Sequence, residues 1–136
     1  MTMKDLHSNA KVLRGISPQA TTGASSAITS EIIDTQGFQS LEFYVNLGAL
    51  YSGATFTPSI AASDAANMAS PTALTVANGG ILGDLTAMDT ANTVKKIGVL
   101  TDKRYVQLTM TAADGGATSY VAASAVLGNA DVAPTA

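Results

Sequence analysis

Apolar and polar residues alternate along three stretches of the chain. At 41–47, apolar side chains fill every odd position, while Glu42, Tyr44 and Asn46 lie between them. The stretches 104–111 and 117–127 alternate in the same way. A period of two is typical of a β-strand with one buried face and one solvent face. The pattern therefore predicts three strands, each half-buried against a core.

Shorter apolar runs predict further strands. A first strand is expected at 11–16, ended by the turn Ser17-Pro18, and another at 28–33. The run 55–60 continues the alternation but contains Pro58, which places it at a sheet edge or beside a bulge. Two short strands are expected around Asn78-Gly79-Gly80, a hairpin-turn signal, and another hairpin turn at Asp114-Gly115-Gly116.

Together these elements predict an all-β fold. The strands are short and regularly spaced, which is typical of a single-domain β-sandwich or jelly-roll-like barrel of about 7–8 antiparallel strands. We assign 1–14 to an extended N-terminal arm and first strand, 15–128 to the sandwich and 129–136 to a polar tail. The strands at 93–100, 104–111 and 117–127 are expected to form a three-stranded meander.

Composition narrows the chemistry that such a sandwich can carry. Ala, Gly, Ser and Thr supply 65 of the 136 residues, so the core must be built from slim side chains. The chain has no cysteine, which excludes disulfides, thiolate zinc sites and iron–sulfur clusters. The net charge of −3 lacks the basic footprint of a nucleic-acid-binding protein. No signal peptide or apolar spanning run is visible, so no membrane association is expected.

Candidate catalytic groups are few. The single histidine, His7, lies in the N-terminal arm, where a base would not be held in a fixed geometry. Most aspartates fall in predicted turns, where they bond the local backbone. Asp84 and Asp89 lack the spacing of a calcium loop, and no phosphate-binding glycine motif occurs. We expect a protein that is not an enzyme and uses no cofactor.

Several segments resemble small virion structural proteins of tailed bacteriophages and prophages. The resembling segments are MKDLHSNAKVLRGISP, DTQGFQSLEFYVNLGAL, Ser63-Asp64, Ile97-Gly98-Val99 before KRYVQL, and VLGNADVAP near the end. The resemblance covers nearly the whole chain, and none of these segments is a catalytic signature. It implies a β-sandwich subunit that is made in the host cytoplasm and built into the particle.

Within that resemblance, the expected role is a head decoration or cement protein. It would bind the outer surface of the major capsid protein and stabilise the shell, as a homo-oligomer for which a trimer is favoured. The arm and the basic doublets are the expected contacts. The candidate partner-binding residues are Lys4, Asp5, His7, Lys11, Arg14, Lys95, Lys96, Lys103 and Arg104.

Other functions remain open at this point. A head–tail connector or tail-tube component would also be structural, but would assemble in rings. A carbohydrate-binding or host-adhesion module would need exposed aromatic platforms, and the four tyrosines are scattered along the sequence. The basic doublets also fit solvated strand edges that discourage edge pairing. A hydrolase with an unrecognised carboxylate pair is the least favoured.

Overall fold

A computed structural model describes residues 5–21, 26–113 and 118–131 of the chain. Lys4 and the predicted turn Asp114-Gly115-Gly116 lie outside these residues. The described residues contain ten strands, which are β1 Lys11–Thr21, β2 Ser26–Thr29, β3 Ile33–Asp34, β4 Phe38–Leu47, β5 Thr55–Ser63, β6 Thr72–Leu74, β7 Ile81–Leu82, β8 Val94–Val99, β9 Tyr105–Ala113 and β10 Ser119–Ala130.

The strands form two antiparallel sheets packed as a β-sandwich. The front sheet has the order β1-β10-β4-β8-β7, and the back sheet has the order β2-β9-β5-β6, with β3 also paired to β9. If β2 and β3 are counted as one interrupted strand and β7 as an edge addition, eight strands remain. Their orders, 1-8-3-6 and 2-7-4-5, are those of a jelly roll. The predicted fold class is therefore confirmed.

The strand count is higher than predicted because one strand is interrupted. Ser30 lies between β2 and β3, and its buried hydroxyl accepts a hydrogen bond from Leu108 N at 3.0 Å, in place of a backbone carbonyl. The next residue, Glu31, donates its N–H to Gly15 O of the front sheet at 2.9 Å. The Ser30 hydroxyl thus continues the hydrogen bonding to β9 across the break, where the backbone turns towards the front sheet.

The core lies between the sheets and is built from the apolar positions of the alternating strands. Phe43 and Val45 of β4 are fully buried, as are Leu108 of β9 and Ala125 of β10, whereas the intervening residues are exposed or half-buried. The three long alternations are thus confirmed. Small residues such as Ala125 allow the two sheets to pack closely around a few large side chains.

The predicted meander is wrong. β8 and β10 both belong to the front sheet and both pair with β4, whereas β9 lies in the back sheet between β2 and β5. Each connection therefore crosses from one sheet to the other instead of closing a hairpin. The alternation specifies which face of a strand is buried, but two packed sheets satisfy that requirement equally well.

Two predicted turns are also wrong. The strand expected to end at Ser17-Pro18 continues to Thr21, because β-bulges in β1 take up the extra residues opposite β10. Asn78-Gly79-Gly80 does not close a hairpin: β6 before it pairs with β5, and β7 after it pairs with β8. The strand β10 also runs to Ala130, two residues into the predicted tail.

Pro58 has no backbone N–H, and it lies at a strand position where no hydrogen-bond donor is needed. Phe56, two residues earlier, exchanges backbone hydrogen bonds with Met88, so this side of β5 faces away from β9. The strand β6 pairs with β5 only from Ile60 onwards. Pro58 therefore faces a gap between two partners of an inner strand, where no N–H is needed, and neither a sheet edge nor a bulge, as was predicted, is present there. A membrane-spanning helix is absent from the part of the chain that the structure describes.

Candidate functional site

The outer surface of the front sheet, here called the front face, presents the outward side chains of five adjacent strands. Cross-strand pairing arranges them in rows. The first row is Val12, Val126, Glu42, Gly98 and Leu82; the second is Arg14, Ser124, Tyr44 and Lys96; the third is Ala122, Asn46 and Val94; and the fourth is Ala20 and Tyr120.

Much of the front face is apolar and open to solvent. Val12 is 66% exposed and Val94 is 62% exposed, at opposite sides of the face. Tyr120 is 48% exposed, and Leu82 packs its side chain over Gly98. These apolar side chains lie at the margins of the front face, around a centre that carries Glu42, Tyr44 and Lys96.

The N-terminal segment covers one end of the front face. It was expected to be extended, but residues 5–9 form a compact turn. Ser8 N donates to Asp5 Oδ1 at 3.1 Å, and Asn9 N donates to Leu6 O at 3.1 Å. Hydrogen bonds from the side chain and the backbone of Ser8 lower the pKa of Asp5, with a smaller contribution from His7. The turn places the side chain of Leu6, which is 72% exposed, next to Val12.

A groove runs beside this turn and is called the arm groove. Its volume is about 730 Å³. Its lining residues are Leu6, His7, Ala10, Lys11, Val12, Tyr44 and Val126. The floor is mainly apolar, whereas His7 and Lys11 supply basic groups at one side. This combination suits an apolar side chain of a partner that has an acidic group beside it.

A second groove, the amide groove, lies at the opposite end of the front face. Its volume is about 630 Å³. It is lined by three amide side chains, Gln19, Asn46 and Asn92, together with the ring of Tyr120. Amides that donate and accept hydrogen bonds next to an exposed ring form the kind of surface on which a polar ligand with an apolar face can rest.

Two predicted partner-binding residues pair within the chain at one end of the back sheet. Arg104 donates to both carboxylate oxygens of Asp34, at 2.8 and 2.7 Å, and its guanidinium lies 5.0 Å from the ring centre of Tyr105. Lys103 Nζ lies 2.5 Å from Asp64 Oδ2. The bond to Arg104 lowers the pKa of Asp34, and the bond to Asp64 raises the pKa of Lys103. These cations hold strands and loops together.

The other predicted basic residues divide into two groups. Arg14 pairs with Glu31 at 2.9 Å, and Lys95 pairs with Asp84. Lys95 also donates to Thr86 O at 2.8 Å, which anchors the loop after β7. Its bond to Asp84 is the main cause that lowers the pKa of this carboxyl to about 2.

The second group is not engaged in this way. Among the ion pairs of the described residues, none involves His7, Lys11 or Lys96. Lys11 and His7 line the arm groove, and Lys96 lies next to Tyr44 in the second row of the front face. The structure thus brings these three predicted residues to the front face, where Arg14 also lies, while Lys103 and Arg104 lie at the far end of the back sheet.

The edges of the sheets are poorly suited to strand addition. β1 is the only long edge strand of the described residues, but two bulges and Pro18 interrupt it, and Glu31 N already binds its carbonyl at Gly15. The edge strands β2, β6 and β7 have four residues or fewer. Bulges, prolines and short edges discourage edge-to-edge pairing. A partner therefore meets the faces more readily than the edges.

Sequence reasoning missed that two of the tyrosines project from the same face of one sheet. Tyr44 and Tyr120 are 76 positions apart and were counted as scattered, yet both project from the front face. The available signal was that each occupies an outward position of an alternating strand.

Within the described ranges, no group of three or more His, Cys, Asp or Glu residues could hold a metal ion. Comparisons with protein-family models, with curated proteins and with solved structures find no match to this chain.

Proposed function

We propose that this protein is a capsid decoration protein of a tailed bacteriophage, bound to the outside of the shell through the arm groove. The observation that carries the proposal is the arm groove itself, where Leu6 stays largely exposed beside Val12 and Tyr44. The floor of the arm groove is apolar and open to water, so its burial under a neighbouring protein would favour binding. The sequence resemblance to phage structural proteins supplies the identity of that neighbour.

Charge supports the choice of surface. His7 and Lys11 flank the arm groove, although the chain as a whole carries a net charge of −3. A carboxylate of the major capsid protein would find Lys11 without an ion-pair partner among the described residues. Complementary charges of this kind fix orientation more than they add affinity. The expected contact is therefore an apolar capsid side chain with carboxylates beside it.

The arm groove yields a direct test. Capsid shells that lack this chain are mixed with the full-length protein or with a variant lacking residues 2–10, and bound protein is measured by co-sedimentation. The wild type should saturate the shell surface, and the deletion should weaken binding at least tenfold. Leu100→Ala, an exposed apolar residue away from the groove, is the control. Unchanged binding of the deletion variant would remove the arm groove from the mechanism.

Stoichiometry separates decoration from the connector or tail-tube alternative. A shell protein occurs in hundreds of copies per particle, whereas a ring component occurs in about one or two dozen, as the symmetries of shell and ring require. Quantitative mass spectrometry of purified particles, referenced to the major capsid protein, gives this ratio directly. Decoration predicts a ratio within a few-fold of one.

The amide groove favours a second candidate function, host adhesion through a glycan. Tyr120 offers a ring on which a sugar can stack, and Gln19, Asn46 and Asn92 offer amides that match hydroxyl groups. A glycan array probed with the wild type and with Tyr120→Ala tests this function. Glycan signals that disappear in the variant would support adhesion, and an array without signals would reject it.

A further inference from the structure

We infer that the front face binds the front face of a second copy of this chain around a two-fold axis, with reciprocal ion pairs between Glu42 and Lys96. The inference rests on the pattern of side chains in the rows of the front face. It does not depend on the proposed function, because self-association can be measured with the purified protein alone. Since Tyr44 and Val126 also line the arm groove, the pair belongs to the free protein and is exclusive with the proposed shell contact.

Seen from Tyr44, Lys96 and Glu42 lie in two perpendicular directions, one across the strands and the other along β4. Lys96 lies beside Tyr44 on the neighbouring strand, and Glu42 lies two residues before Tyr44 on the same strand. Neighbouring strands are about 4.8 Å apart, and alternate residues of one strand are about 6.8 Å apart. Tyr44 Oη lies 3.4 Å from Glu42 Oε2, so the carboxylate is held beside the ring.

A two-fold axis that lies in the plane of the face and runs diagonally through Tyr44 exchanges these two directions. Glu42 of one copy then lies opposite Lys96 of the other copy, with a mismatch of about 2 Å, the difference between the two spacings. The same rotation brings Lys96 opposite Glu42, so the pair forms twice. In a two-fold interface every contact is reciprocal in this way.

The remaining residues of the central rows also match under this rotation. Val126 lies opposite Val94 of the second copy, so a half-buried and an exposed apolar side chain cover each other. Ser124 lies opposite Asn46, which pairs a hydroxyl with an amide, and Tyr44 lies opposite its own counterpart on the axis. The strands of the two copies cross at about 90°, which is the orthogonal class of sheet packing.

Other two-fold axes through Tyr44 do not match the charges. An axis along β4 sets Glu42 against its own counterpart, and an axis across the strands sets Lys96 against its own counterpart. The second diagonal sets Glu42 near Ser124 and Lys96 near Asn46, which leaves both charges unpaired. Charge complementarity therefore selects one orientation, and like charges disfavour two of the others.

The size of the face predicts a weak pair. Four strands and four rows span about 19 by 27 Å, and because the strands of the two copies cross at about 90°, the two faces overlap over about 19 by 19 Å, or roughly 360 Å² for each copy. A standard stable interface buries about 800 Å² for each partner. The pair should therefore form at micromolar concentrations and above. This two-fold arrangement differs from the trimer that the family resemblance favours.

Charge reversal tests the inference without disturbing the core, since Glu42 is half-buried at the surface and Lys96 is exposed. Sedimentation velocity over a concentration series should show a monomer–dimer equilibrium for the wild type. Glu42→Lys and Lys96→Glu should each raise the dimer Kd at least tenfold, because each variant places like charges opposite each other. The double variant should restore the wild-type Kd.

Mixing the two single variants gives the sharpest outcome. Each is expected to be monomeric alone, but together they should form a heterodimer, because every facing pair then has opposite charges. Asp102→Lys, which changes the net charge as Glu42→Lys does but lies in the turn after β8, is the control and should dimerise like the wild type. A protein that stays monomeric, a trimer, or single variants that dimerise unchanged would each overturn the inference.

Discussion

The side chain of Leu6 should contribute measurably to shell binding while contributing little to folding. Leu6 is 72% exposed on the turn at residues 5–9, so Leu6→Ala removes few contacts from the folded subunit. The same side chain borders the arm groove together with Val12 and Tyr44. If a capsid protein covers the groove, the exposed part of this side chain becomes buried only in the complex.

The loss of affinity follows from the area that the complex would bury. Truncation of leucine to alanine removes about three methylene equivalents, worth about 2.4 kcal/mol at about 0.8 kcal/mol each. Because 72% of the side chain is exposed beforehand, about 1.7 kcal/mol of this is available to binding. Each 1.4 kcal/mol corresponds to a tenfold change in Kd, so Leu6→Ala should weaken binding roughly 10- to 20-fold.

Titration of shells with labelled protein, analysed by co-sedimentation, measures this Kd. Leu100→Ala truncates an equally large side chain outside the groove and should leave the Kd unchanged. Thermal unfolding of both variants should match the wild type within a few degrees. A Leu6→Ala variant that binds as tightly as the wild type would show that the arm groove is not covered in the complex.

Three further predictions concern folding. Phe43→Ala opens a cavity in the centre of the core and should lower the free energy of unfolding by about 3–5 kcal/mol in urea titrations. Asn78→Ala removes the amide that bonds Ala73 O and neighbouring backbone N–H groups, and should cost about 1–2 kcal/mol in the same assay. The pKa of Asp84 is lowered to about 2, so its stabilising bond to Lys95 is present above about pH 4 and lost as the pH falls towards 2. Asp84→Asn should therefore flatten the stability profile in that window, as measured by thermal unfolding against pH.

The sequence identifies strands better than it identifies their partners. The alternation in β4, β9 and β10 predicts which side chains are buried, because one face of each strand must meet the core. It carries no information on which sheet a strand joins, so the meander was wrong. The breaks at Ser30 and in β1 were missed for a related reason: a hydroxyl or a bulge can replace a regular backbone pairing without changing the apolar pattern.

The candidate site was only partly predictable. Lys103 and Arg104 looked like free basic residues, because their carboxylate partners Asp64 and Asp34 are 39 and 70 positions away in the chain. Conversely, Tyr44 and Tyr120 looked scattered because they come to the same face only when β4 pairs with β10. Long-range pairing decides which surface residues meet, and a single sequence records it poorly.

The number of copies of this chain in a purified tailed-phage particle tests the decoration proposal most directly. Quantitative mass spectrometry against the major capsid protein, with a cryo-electron microscopy map of the same particles, gives both number and position. Decoration predicts hundreds of copies on the outer surface of the head, with the arm groove against the shell. One or two dozen copies in a ring at the head–tail junction or in the tail would contradict it.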